Sequence, residues 1–178
     1  MNIHPLIVHF PIALLVAYSV LEISGYVWPA SRRVAWVFPV KAFTLFVGTL
    51  AAFVALVTGE IAEELIEGSA LGYILEVHSL VAGVTTILYV ILAAAYLNRV
   101  FDKNGWFDRI ASSNAFLAWG WRAKKYIAHL ILDTWFLPVV ALLALIGITV
   151  TGALGAAMVY GPNADPFVSF VYHLFWVQ

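Results

Sequence analysis

The side chains best suited to chemistry in this sequence are its five histidines, because imidazole is the usual axial ligand of b-type haem and a common ligand of transition metals. His9 and His78 each stand at the start of a long hydrophobic segment. Bis-histidine ligation needs two histidines on separate helices at a matching depth. We therefore predict that His9 and His78 ligate a haem b iron, with His4 and His173 as weaker candidates.

A simpler interpretation stays open for these histidines. A histidine at the start of a membrane helix often only hydrogen-bonds to lipid headgroups, water or free backbone groups. The fifth histidine, His129, recurs at helical spacing with Arg122, Lys125 and Asp133, opposite apolar residues. This pattern is typical of a helix that lies along the membrane interface, so we expect His129 to be a surface residue of that helix.

Small residues in the fourth hydrophobic segment add to the haem prediction. Gly152 and Gly155 are one helical turn apart and would let a flat macrocycle approach the helix backbone, so we include them as candidate cofactor-binding positions. The alternative is ordinary packing of small residues between membrane helices, which needs no cofactor.

An acidic stripe follows the second hydrophobic segment. Glu60, Glu63, Glu64 and Glu67 are spaced i, i+3, i+4 and i+7, which places four carboxylates on one helix face. They could bind a divalent cation with nearby histidines, or attract a basic soluble partner such as a c-type cytochrome. A stripe that is merely solvated is the alternative.

One carboxylate stands alone inside a hydrophobic segment. Glu22 lies one or two turns from the end of the first segment, where an ionisable side chain is costly to bury. We expect Glu22 to extend to the membrane surface or to pair with Arg32 or Arg33.

Several function classes are excluded by what the sequence lacks. The absence of cysteine excludes disulfides, thiolate catalysis, iron–sulfur clusters and covalently attached c-type haem within the chain. There is no hydrolase serine elbow, glycine-rich phosphate loop, dinucleotide fingerprint or HExxH helix, and the basic residues form no nucleic-acid patch. We therefore predict no catalytic residues and no independent enzymatic activity.

The composition requires a lipid environment. Hydrophobic residues make up 63 % of the chain and charged residues 11 %, with a mean hydropathy of +0.96, whereas soluble domains are roughly 45–50 % apolar and about 25 % charged. Hydrophobic stretches of about 20 residues, each long enough to cross a bilayer, use up most of the sequence. We predict an all-α integral membrane protein with a single domain over residues 1–178.

The chain is expected to form a bundle of four transmembrane helices. A helix along the interface is predicted over residues 115–136, after a polar connection over residues 98–114, and Asp165 with Pro166 can start a short C-terminal interfacial helix that ends at Gln178. Pro11 suits the first position of the first helix. The second helix is expected to continue to Glu67. The predicted spans are residues 11–28, 36–59, 78–97 and 138–160.

Charge asymmetry predicts the orientation. Alternating the spans across the membrane places all nine basic residues on the side of the first and third connections, which the positive-inside rule makes cytoplasmic. Both termini, and four of the five histidines, then lie on the periplasmic side of a bacterial inner membrane.

The opening residues His4 to Ile12, which read HPLIVHFPI, resemble the hallmark of a family of bacterial four-helix membrane proteins of unknown function. Thr58 with Gly59, His78, and the segment 151–155 agree with that family as well. The resemblance implies that these histidines share one membrane face. It also implies redox work, because relatives are encoded or fused near cytochromes and iron–sulfur proteins.

This chain departs from the family pattern in its fourth helix. Relatives often have a histidine at the position of Ala153 and another just after the Val-Tyr pair, where this chain has Gly161 and Pro162. If those positions bind a cofactor elsewhere, this protein lacks that site or replaces it with His173.

The leading hypothesis is a b-type cytochrome-like electron-transfer subunit of a respiratory or redox complex. Electrons would pass between a quinone or another membrane subunit and a periplasmic cytochrome c or iron–sulfur protein. One alternative is a cofactor-free structural or assembly subunit. The other is a metal-binding protein that uses His4, His9, His78 and the acidic stripe at the periplasmic face.

Overall fold

Helices account for all regular structure in the computed structural model, which describes residues 3–63, 72–111 and 113–175, without the side chains of residues 32, 63, 106 and 107. Four of these helices are long and apolar enough to cross a membrane. The predicted all-α membrane fold is therefore confirmed. The helices are α1 His4–Ile7, α2 His9–Val27, α3 Val37–Glu63, α4 Gly72–Asn104, α5 Trp106–Ala111, α6 Ala115–Leu132, α7 Phe136–Tyr160 and α8 Pro166–Phe175, with a 3₁₀ turn at Pro29–Arg33.

The four long helices pack as a bundle, in which α2 contacts α3 and α7, and α4 contacts α3 and α7. Leu15, Leu45 and Tyr89 lie fully buried where these helices meet. Large apolar side chains such as Phe43 and Ile87 point outward, as expected where the surrounding solvent is lipid. Small residues let the helices approach closely, because a Cβ atom at Gly48 would lie only 2.7 Å from Leu15 Cδ2.

The bundle has two distinct ends, named here by their side chains. The histidine end comprises α1, the start of α4, the ends of α3 and α7, and α8. The basic end comprises the end of α2, the start of α3, the end of α4, α5, α6 and the start of α7. Since helices of this length span the bilayer, the two ends lie near opposite membrane surfaces.

The first span begins earlier than predicted. Pro11 is the third residue of α2, which starts at His9, and a separate turn of helix, α1, precedes it with Pro5 in its first turn. The prediction that Pro11 opens the helix was wrong because Pro5 already supplies the proline-compatible first turn.

The third span is longer than predicted at both ends. It covers Gly72–Asn104 rather than residues 78–97, and Gly105 with φ of 60° ends it. The expected polar connection is therefore mostly helical, as the end of α4 and as α5. His78 lies six residues into α4, roughly 9 Å along the helix axis, and this depth favours its burial.

A helix forms within the range predicted for the interfacial helix, as α6. Asn114 caps its start, accepting hydrogen bonds from Phe116 N at 2.8 Å and Leu117 N at 3.3 Å. Lys125 faces acidic residues of the neighbouring helices, and on the apolar side Trp121 is 5 % exposed whereas Ile127 is 55 % exposed. That α6 lies along the membrane interface remains a prediction.

The short C-terminal helix is confirmed as α8. Asp165 caps it, because Asp165 Oδ1 accepts hydrogen bonds from Phe167 N at 2.8 Å and Val168 N at 2.9 Å. Val168, Val171 and neighbouring apolar residues bury one face of α8 against α7. The predicted continuations of α8 to Gln178 and of α3 to Glu67 lie outside the described residues.

Candidate functional site at the histidine end

His4 is the first residue of α1, and its ring is held by α3. Its Nδ1 lies 3.0 Å from Thr58 Oγ1. The Thr58 hydroxyl donates to the carbonyls of Val54 and Ala55, at 3.0 and 3.1 Å. Its proton is therefore shared between two acceptors within α3. Thr58 Oγ1 can then accept from a His4 Nδ1–H group, and the backbone of Ala55 also hydrogen-bonds to the ring.

Gly59 provides the space that the His4 ring occupies beside α3. A Cβ atom at Gly59 would lie 3.3 Å from His4 Cε1, a tight contact, so the imidazole packs against bare backbone. Thr58 thus hydrogen-bonds to the His4 ring, and Gly59 has no side chain that would collide with it. The sequence showed this pair only as a family feature, and its role depends on the position of α1.

The His78 ring lies in a similar space, between α4 and α7. Its Cε1 would lie 3.3 Å from a Cβ atom at Gly155, and the backbone of Thr151 lies close enough to interact with the ring. The Nδ1 atom of His78 is buried and has no hydrogen-bond partner among the described residues. A buried nitrogen without a partner is unusual, and this atom is the most distinctive feature of the histidine end.

The structure brings His78 together with His4, because the two rings interact electrostatically. His9 is exposed, and its Nδ1–H group donates to Pro5 O at 2.6 Å. Of the predicted haem ligands, His78 is therefore mostly buried and His9 lies at the surface. That these two histidines share an iron remains a prediction.

The two glycines predicted to approach a macrocycle differ in their surroundings. A Cβ atom at Gly152 would meet only Ile12 Cδ1, at 4.0 Å, so the packing does not require glycine there. Gly155 does make room for a ring, but that ring is the imidazole of His78. Contact of either glycine with a macrocycle remains a prediction.

The remaining histidines lie apart from this pair. His173 is exposed on α8, and its Nδ1–H group donates to Ser169 O at 2.7 Å. His129 is exposed at the basic end, where its ring bonds to Asp133. Its surface position agrees with the expectation from sequence.

The described residues contain no group of three or more His, Cys, Asp or Glu side chains that could hold a metal ion. His4, His9, His78 and Glu60 therefore do not form such a group by themselves. Glu64 and Glu67 of the predicted acidic stripe, and the side chain of Glu63, lie outside the described residues.

A family model described as "Predicted membrane protein (DUF2231)" matches residues 1–164. The chain belongs to this family. In this DUF2231 protein, the match includes all four spans and the residues that surround the His4 and His78 rings, whereas α8 and His173 lie beyond it. Comparisons with curated proteins and with solved structures gave no match.

A second polar site lies at the basic end, buried within the bundle. Lys41 Nζ donates to Glu22 Oε1 at 2.8 Å, and Tyr96 Oη donates to Glu22 Oε2. Glu22 thus pairs with Lys41, whereas we expected it to reach the membrane surface or to pair with Arg32 or Arg33, and the Arg32 side chain lies outside the described residues. Lys41 lies one turn inside α3 and faces α2, so it meets Glu22 within the bundle and the carboxylate need not reach the surface.

The surface of the basic end is held by ion pairs. Hydrogen bonds from Lys125 and from the Trp121 indole lower the pKa of Asp108, and hydrogen bonds to Asp102 and Asp108 raise the pKa of Lys125. Burial raises the pKa of Asp133, but hydrogen bonds and charge from Arg99 and His129 leave it below the usual value. These contacts dock α6 against α4 and α5.

Proposed function

We propose that this DUF2231 protein is a membrane-embedded electron-transfer subunit with a b-type haem at its histidine end, which His78 would help to hold. The supporting observation is the buried Nδ1 atom of His78, which has no partner among the described residues. Leaving such a polar group unpaired costs about 1–3 kcal/mol. Coordination of this nitrogen by the haem iron would offset this cost.

Two histidines can supply the second ligand. His4 interacts electrostatically with His78, which favours it on position. His9 was predicted from sequence, and its Nδ1–H group is held by a backbone carbonyl, the arrangement that orients ligating histidines in metal sites. The neutral His9 ring therefore carries its lone pair on Nε2. The haem would supply a one-electron couple, and the protein would supply its ligands and an apolar surround.

The proposed setting is the bacterial inner membrane, with the histidine end periplasmic. It is supported by the gathering of basic residues at the opposite end. Partners at the histidine end would be a periplasmic cytochrome c or iron–sulfur protein, and partners within the membrane would be a quinone or other subunits. The chain itself would carry electrons and catalyse no reaction of its own.

Haem content of purified variants tests this proposal. We expect pyridine haemochrome assays to detect haem b in the wild type and to detect at least tenfold less in His78→Ala. Comparing His4→Ala with His9→Ala identifies the second ligand, and His129→Ala at the opposite end serves as the matched control. Haem absent from the wild type, or retained in full by His78→Ala, would contradict the proposal.

A structural subunit without cofactor is the second candidate. It is favoured by the way His4 and His78 fill spaces beside Gly59 and Gly155, since these contacts also hold helices together. This candidate predicts that His78→Ala leaves partner activity unchanged, whereas Gly155→Leu prevents assembly with the partner. Loss of activity in an assembled His78→Ala complex would exclude it.

A further inference from the structure

Four polar side chains at the basic end form a buried group that the proposed function does not use. This Glu22 cluster consists of Glu22, Lys41, Tyr96 and Tyr18. Glu22 and Lys41 are only 2 % and 6 % exposed, and Tyr18 is fully buried. Glu22 lies five residues before the end of α2 at Val27, roughly 8 Å along the helix axis. Ionisable groups at such positions in membrane helices are functional candidates.

The cluster satisfies an ionised Glu22. One carboxylate oxygen accepts from Lys41 on α3, and the other accepts from Tyr96 on α4. α7, which also packs against α2, contains no Asp, Glu, Lys, Arg or His. Other charged groups on elements that pack here include Arg99 on α4 and Arg33 in the turn after α2. Within the cluster the charges of Glu22 and Lys41 cancel.

One polar atom is left over in this ionised state. The hydroxyl oxygen of Tyr18 is buried and lies close to Glu22 and Tyr96, but it meets the geometry of a hydrogen bond with no described residue. The Tyr18 and Tyr96 rings lie 5.7 Å apart between centroids. A protonated Glu22 carboxyl needs an acceptor for its O–H group, and Tyr18 Oη is placed to accept it. The unused atom fits a second protonation state of the same cluster.

A polar cavity at the basic end shares one neighbour, Arg99, with the cluster. Arg99 lies one turn beyond Tyr96 on α4 and interacts with it electrostatically. It also lines the cavity, which has a volume of about 270 Å³ and opens to the surface. The cavity is lined by Asn98, Arg99, Asp102, Lys125, Ala128 and His129.

Apolar packing closes the cluster on its deeper side. Ser19 and Tyr89 bond to each other at 2.9 Å. Leu15 on α2 and Leu45 on α3, each one turn deeper than a member of the cluster, are 1 % and 0 % exposed. This packing leaves the basic end as the side from which a proton can approach.

We propose that the Glu22 cluster is a proton-binding site inside the membrane, filled and emptied through the cavity at the basic end. On uptake, a proton adds to the Glu22 carboxylate and Lys41 keeps its own proton. The site then carries the single positive charge of Lys41. The carboxyl O–H donates to Tyr18, and Tyr96 continues to donate to the carboxyl group. The tyrosines thus serve both states without moving between helices.

Infrared titration of the protein in phosphatidylcholine vesicles tests this proposal. We expect acidification of the wild type to produce a carboxyl C=O band that is lost in the double variant Glu22→Gln with Lys41→Met, in which no buried charge is left unpaired. The control Glu60→Gln, an exposed carboxylate on α3, keeps the band. Tyr18→Phe, which retains the ion pair, shifts its frequency. Identical carboxyl bands in the wild type and the double variant would overturn the proposal.

Exchange in heavy water tests the route. We expect the Glu22 band to exchange its proton for deuterium several-fold more slowly in Arg99→Leu than in the wild type, because the apolar side chain closes the approach from the cavity. Glu60→Gln again provides the unchanged reference. Equal exchange rates in Arg99→Leu and the wild type would overturn access from the basic end.

Discussion

At the scale of single residues, the bundle matches its buried polar side chains across helices. His4 on α1 bonds to Thr58 on α3, Ser19 on α2 bonds to Tyr89 on α4, and Glu22 bonds to both Lys41 and Tyr96. Such pairing is required where no water can replace a lost partner. The buried atoms left without a partner among the described residues are Tyr18 Oη and His78 Nδ1, and each marks one proposed site.

The buried ion pair gives a prediction for stability. Glu22→Gln or Lys41→Met alone should lower the free energy of unfolding by about 3–5 kcal/mol, because each leaves one buried charge uncompensated. The double variant should recover most of that loss. Reversible unfolding in mixed micelles measures these differences, and additive losses in the double variant would contradict this account.

The ion pairs around α6 predict a dependence on pH. The pKa of Asp108 is lower in the folded protein than in the unfolded chain, so its contacts stabilise the docking of α6 above the unfolded carboxyl pKa of about 3.9. That stabilisation is lost as the pH falls through the lower, folded pKa.

Fluorescence of Trp121, obtained as the difference between the wild type and Trp121→Phe, follows this change. We expect the emission to shift to longer wavelength as the pH falls below about 4. Asp108→Asn should show the shifted emission already at neutral pH. Emission that is independent of pH in the wild type would disprove the role of Asp108.

At the scale of helices, glycines set how closely the spans approach. A Cβ atom at Gly147 on α7 would overlap Thr85 Oγ1 on α4, whereas one at Gly83 would meet open space. We predict that Gly147→Ala destabilises the protein by about 1–3 kcal/mol through overpacking. Gly83→Ala should stabilise it by about 0.5–1 kcal/mol, because alanine favours a helix. Thermal unfolding of both variants checks this, and equal effects would refute it.

The existence of the helices could be predicted from sequence, but some of their limits and faces could not. Hydrophobic length identified all four spans, and Asp165 marked the start of α8. The start of α2 was misplaced because two prolines compete for the first turn. The docking of α6 could not be predicted, because its polar side chains find partners on α4 and α5, which periodicity within α6 cannot reveal.

At the scale of the whole molecule, the sequence placed His4 and His78 at one end of the bundle but could not show which residues surround their rings. The burial of His78 depends on how far α4 extends before it, and the position of His4 depends on a separate turn that docks on α3. The pairing of Glu22 with Lys41 likewise depends on the register of α2 against α3.

The orientation of the bundle is open to direct test, because the chain contains no cysteine. We predict that a cysteine placed at Ala30, at the basic end, reacts with a membrane-impermeant thiol reagent only from the cytoplasmic side. A cysteine at Ala164, at the histidine end, should react only from the periplasmic side. Labelling of intact cells and inverted vesicles measures both, and the reverse pattern would place the histidines in the cytoplasm.

The central claim is that His78 holds a redox group. The most direct measurement is the reduced-minus-oxidised visible spectrum of the purified wild type beside His78→Ala. We predict Soret and α bands of a low-spin b-type haem in the wild type and their loss in the variant. A wild-type spectrum without these bands, or a variant spectrum that keeps them unchanged, would contradict the claim.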